Sequence, residues 1–107
     1  MIENSDFNEL HMIEHNLQNV LMQKQAISIE LNEVSNALSE VENSIDDVYK
    51  VLGQIMLKAN KDSILKELKE KRHVLELRNQ SFEKQEAILE AKAEEIKKEF
   101  KEQQKVK

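Results

Sequence analysis

Apolar residues recur along this chain at intervals that alternate between three and four. From Leu10 the series runs through Ile13, Leu17, Val20, Lys24, Ile27, Leu31, Val34, Leu38 and Val41 to Ile45. A second series places Leu68, Leu75, Phe82, Leu89 and Ile96 seven residues apart. A mean spacing of 3.5 residues keeps one stripe of a slightly underwound helix turned toward a partner helix, which is the condition for a coiled coil. Neither series crosses residues 48–58, whose sequence is Val-Tyr-Lys-Val-Leu-Gly-Gln-Ile-Met-Leu-Lys. The pattern therefore predicts helix, interruption, helix.

Composition points the same way. One Gly and no Pro in 107 residues leave few places for the chain to turn, so it reverses direction seldom. With 35% of its residues charged and heptad-spaced apolar positions, it suits long helices better than a compact globule. The length allows one domain at most, expected to span 1–107. Two helices facing each other bury a single seam, and a core that small usually needs a partner chain for stability. There is no Cys, which excludes thiolate chemistry. The opening Met-Ile-Glu-Asn-Ser-Asp has neither the basic region nor the apolar run of a signal peptide. No apolar stretch approaches the roughly 20 residues that span a bilayer, so a cytoplasmic protein with no membrane partner is expected.

The net charge of −5 conceals an asymmetry. Residues 1–47 carry ten acidic side chains and one basic one, Lys24, whereas residues 48–107 carry eleven acidic and fifteen basic. Opposite charge favours the packing of the two helices on each other, although exposed pairs contribute only about 0.2–1 kcal/mol each. With no dominant basic face, nucleic acid is not expected as a ligand.

The first helix is expected over about 6–45, with Asp6 and Glu9 set as in a capping box. The second is expected over about 61–102, where Asn60 or Asp62 can accept from the free N–H groups of its first turn. Between them, Val48, Tyr49, Val51 and Ile55 favour strands. Gly53-Gln54 suits a two-residue type II′ turn with Gly first, and a β-hairpin over about 48–58 follows. The competing reading continues the first helix through this stretch. The fold class expected is mainly α: two long helices in an antiparallel coiled-coil hairpin, joined by a short β-hairpin. Such a hairpin is marginal in water by itself, so its edges and apolar faces call for another chain.

Folding the helices back on each other about the interruption pairs residues whose numbers sum to about 110. Val41 then faces Leu68, Val34 faces Leu75, Val20 faces Leu89 and Ile13 faces Ile96. Lys24, the polar member of the first seam, falls opposite Glu86, also at a seam position. A slip of one heptad places Lys24 against Asn79 or Ala93 instead, so this pair selects the register. Arg72 and Asn79 are polar residues in the second seam, expected to reach its rim.

Side chains for catalysis are not assembled by any spacing in this sequence. His11 and His15 stand one helical turn apart, but no Cys or third His accompanies them, and they are read as solvated histidines rather than metal ligands. Paired acids such as Glu94-Glu95 read as a solvated face, because general acid–base work needs a concave and partly dry site. No enzyme activity, cofactor or metal is implied. Apolar residues off the seam remain. Ile2, Phe7, Leu10, Met12, Met22, Phe100 and Val106 are expected near the open end, where the chain ends meet. Apolar and Met-containing helix ends make adaptable surfaces for varied apolar partners. Phe7, Leu10 and Phe100 have a second reading, as closure of the coiled coil.

Three stretches together resemble a beta-type prefoldin subunit. They are Gln23-Lys24-Gln25 with Glu30-Leu31-Asn32-Glu33-Val34 and Ala37-Leu38-Ser39-Glu40-Val41; Val48-Tyr49-Lys50-Val51-Leu52-Gly53 with Ile55-Met56-Leu57-Lys58; and Leu68-Lys69-Glu70-Lys71 with Leu75-Glu76-Leu77-Arg78 and Glu83-Lys84-Gln85-Glu86. The Tyr-Lys-x-x-Gly hairpin is the specific part. The single hairpin is similar to the beta class rather than the alpha class, which carries two. The resemblance implies a hexameric chaperone of two alpha-type and four beta-type subunits, in which hairpins join as a platform and helical arms hold unfolded clients without ATP. It implies delivery of those clients to a group II chaperonin. By position, Val48, Tyr49, Val51, Leu52, Gly53, Ile55, Met56 and Leu57 are implied in assembly, and the terminal apolar residues in client contact. Arg72 and Asn79 depart from the family pattern, which usually has apolar residues there. The contrasting expectation is a structural coiled-coil scaffold that binds no client.

Overall fold

In a computed structural model, residues 4–105 are described, with side chains from 6 to 102. Four elements follow one another: helix α1 (Asn4–Asn43), strands β1 (Val48–Leu52) and β2 (Ile55–Ala59), and helix α2 (Lys61–Lys105). The heptad pattern alone accounts for both helices, since no Pro or Gly interrupts either.

The element ends differ from the sequence expectation in small, explicable ways. The chain is already helical at Asn4, so Asp6 lies within the first turn of α1, where its charge favours the helix dipole, rather than capping it. At the other end α1 stops at Asn43 and not near residue 45. Ile45 continues the spacing of the seam but is 99% exposed, because the helix that would have turned it inward has ended. The N–H of Ser44 donates to the carbonyl of Val41 at 3.3 Å, a tightened last turn. Helix α2 runs past residue 102 to Lys105. It is capped by Asn60, whose Oδ1 accepts from the Ser63 N–H at 3.2 Å while its carbonyl accepts from Ile64 N–H at 3.0 Å. Accepting with both its side-chain and its main-chain oxygen is what an Asn at the N-cap provides.

Contacts divide the chain into two compact parts. The first combines Met1–Ala26 with Asn79–Lys107. Its core is Ile13, Ala93 and Ile96, with Leu10, Leu17, Leu89 and Phe100 packed against them. Val20 is buried as well. Within this part Lys24 Nζ donates to Glu86 Oε1 at 3.0 Å, and the rings of Phe7 and Phe100 meet with centroids 5.0 Å apart. These pairs run antiparallel, in the register expected.

The second part is Ile27–Arg78. Ile27, Val34, Leu38 and Leu75 are buried there, all on the two seams. Arg72 and Asn79 turn along α2 rather than inward. Arg72 Nε stands 3.9 Å from Glu76 Oε1, and Asn79, which belongs to the first part, donates from Nδ2 to Glu83 Oε1 at 3.2 Å.

Candidate functional site

β1 and β2 pair antiparallel in the register Val48 with Ala59, Tyr49 with Lys58, Lys50 with Leu57, Val51 with Met56, and Leu52 with Ile55. Gly53 and Gln54 make the turn. Gly53 has φ of +60° and no other residue has positive φ among those described, so only the first central position is left-handed, which defines type II′. This turn matches the twist of the flanking strands. The hairpin is complete at Ala59, one residue beyond the expected end.

Because side chains alternate across a strand, the register sorts them into two faces. Lys50, Leu52, Ile55 and Leu57 share one, and Tyr49, Val51, Met56 and Lys58 share the other. A sheet with one solvated face normally shows apolar and polar faces in alternation. This one carries apolar side chains on both, and Tyr49, Val51, Leu52, Ile55, Met56 and Leu57 are each about half exposed or more. Among the described residues neither strand has a second neighbour, so both outer edges keep unpaired N–H and C=O groups. A partner covering these side chains would gain on the order of 1 kcal/mol from each, roughly half the value of complete burial. The two lysines of the strands are tied locally. Lys50 Nζ lies 3.3 Å from Glu67 Oε2, and Lys58 Nζ lies 3.5 Å from Asp47 Oδ2.

The helix-end residues sort differently. Leu10 and Phe100 pack against the Ile13 core, whereas Phe7 is half exposed and Met12 is two-thirds exposed. Phe7 rests against Phe100 with its ring tilted by 35°, so the two aromatics close the helix pair and still present an apolar edge. Ile2 and Val106 lie outside the described residues. Met22 is exposed, and so are Leu21 and Ile88 in the same part of the chain. Those last two are apolar residues away from the seam columns, the same sequence signal that marks Met22.

His11 and His15 are both exposed. Among the described residues no group of three or more His, Cys, Asp or Glu is placed to hold a metal ion, and no helix is long and apolar enough to cross a membrane.

Comparison with known proteins bears on these surfaces. The family model described as "Prefoldin subunit" matches residues 5–107. A prefoldin subunit beta from Pyrobaculum islandicum is 35% identical over 95 residues, covering 87% of this chain and 76% of its own length. Its counterpart in Sulfurisphaera tokodaii is 32% identical over 92 residues, covering 84% and 74%. The crystal structure of the prefoldin beta subunit from Thermococcus strain KS-1 superposes with a TM-score of 0.83 at 38% identity, over 90% of this chain and 86% of that one.

Proposed function

Because this chain belongs to the prefoldin family, among its beta-type subunits, we propose that it is a chaperone subunit which assembles through its β-hairpin and holds unfolded proteins at its helix ends. The observation that carries this reading is the strand pair. It is apolar on both faces, open at both edges, and too small to be stable unaided in water. Such a surface gains stability when strands of other subunits extend the sheet.

The proposed partners are alpha-type prefoldin subunits and further copies of the beta type, in a hexamer of two and four. Val48–Leu52 and Ile55–Ala59 supply the assembly strands, and the whole of 1–107 acts as one prefoldin domain. The client surface consists of Phe7, Met12 and the outer edge of Phe100, with Leu10 beneath them and Ile2 and Val106 contributing from the chain ends. Several such ends in one complex hold an unfolded chain at many weak points, and multivalency raises the net affinity without ATP. Clients pass from there to a group II chaperonin, in the cytoplasm.

The test is to mix the purified chain with an alpha-type subunit, measure the mass of the complex, and follow aggregation of a denatured protein without nucleotide. A hexamer that suppresses aggregation is the expected result. Replacing 48–59 by a short Gly/Ser linker should abolish the hexamer. Assembly of the linker variant at wild-type affinity would reject the role of the strands, and a hexamer without suppression would leave the scaffold reading in its place.

A further inference from the structure

Two connections join the strands to the helices, and they are unequal. Between β2 and α2 stands Asn60 alone, already fixed as the helix cap. Between α1 and β1 stand four residues, 44–47. None of the four is buried, and Ile45, the apolar one among them, is fully in solvent. Apolar packing therefore does not hold this link. Polar contacts do. Ser44 Oγ donates to the Asp46 carbonyl at 3.2 Å, and the Asp47–Lys58 pair is well exposed on both sides, hence weak.

Beside the Ser44 N–H bond to the Val41 carbonyl, a further tie comes from α2. Lys61 Nζ donates to the carbonyl of Glu42 at 3.2 Å and to the carbonyl of Ser44 at 2.9 Å. Lys61 is the first residue of α2, where a positive charge opposes the helix's own dipole. The last turn of α1, in contrast, carries no basic side chain, although its free carbonyls favour one. A cation that suits neither its own helix end nor the general helix pattern is thus placed where the other helix needs it. We infer that Lys61 is a positioning residue. By capping α1 from the first turn of α2 it fixes the root of β1, and so presets the strand pair for the subunits that extend it.

The inference rests on assembly through the hairpin, and its test separates the two. Lys61→Met keeps the length and apolar stem of the side chain but removes the cationic donor, while Lys61→Arg keeps charge and donors. In the full-length chain, far-UV circular dichroism should be unchanged by either substitution. Amide hydrogen exchange across residues 44–52 should quicken in Lys61→Met and stay near wild type in Lys61→Arg. Affinity for the alpha-type subunit should fall about tenfold in Lys61→Met, as expected when two charge-assisted hydrogen bonds that preorganise a binding element are lost, and by no more than about twofold in Lys61→Arg. Wild-type exchange in Lys61→Met would overturn the inference, as would equal losses in both variants. The exchange measurement needs no partner, so it judges Lys61 even if the Gly/Ser-linker variant shows that the strands play no part in assembly.

Discussion

Lys24 holds a seam position that its heptad neighbours Leu17 and Leu31 fill with leucine. Its partner Glu86 lies 3.0 Å away, and both side chains keep a fifth to a quarter of their surface in solvent. At that depth desolvation offsets much of the attraction, so the pair selects a register more than it stabilises one. Removing one member is another matter, because the other charge is left in the seam. Lys24→Met alone should cost about 1–2 kcal/mol in urea unfolding, below the range for fully buried pairs. Lys24→Met with Glu86→Leu should recover most of that, and the exchanged pair, Lys24→Glu with Glu86→Lys, should recover part of it. A cycle over these variants gives the coupling energy directly. This contact is legible in the sequence, since Lys24 meets an opposite charge at one alignment and only Asn79 or Ala93 at the neighbouring ones. Lys61 was not legible. Its role depends on α1 ending at Asn43, and the seam spacing continues past that point to Ile45.

At the scale of the element, the hairpin turn depends on the chain's single glycine. A Cβ at Gly53 would meet no atom within 4 Å, so the cost of replacing it lies in the backbone. At φ of +60° an L side chain is disfavoured by about 1 kcal/mol. Gly53→Ala should therefore raise amide exchange in β1 and β2 and weaken association with the alpha-type subunit about fivefold, while helix content and the unfolding midpoint of the coiled coil stay unchanged. A variant that bound as wild type would mean that the neighbouring strands, not the turn, define the hairpin. The turn type was readable because Gly53-Gln54 splits two runs of strand-forming residues. The end of α1 was not readable to the residue, because Ser44 to Asp47 weakens the helical signal with turn-type residues but holds no Gly or Pro to place the break, and the seam spacing continues to Ile45.

Across the whole molecule the two proposed surfaces occupy different compact parts. Phe7 and Met12 belong to one, and the strand pair to the other. Changes at one should leave the other's work intact. Phe7→Ser with Met12→Ser alters two exposed side chains and spares the core made by Ile13, Ala93 and Ile96. It should leave the mass of the complex unchanged and reduce suppression of aggregation severalfold. Unchanged suppression would move the client surface elsewhere, with Leu21, Met22 and Ile88 the next residues to alter. The strand pair carries a final consequence for growth. A two-stranded ribbon that accepts a neighbour at one edge still offers the other edge, and each added ribbon brings a fresh one. Nothing among the described residues terminates that addition, so a finite particle requires either that the sheet curl until its first and last edges meet or that a different subunit cover the last edge, and an assembly that misses both has no length at which to stop.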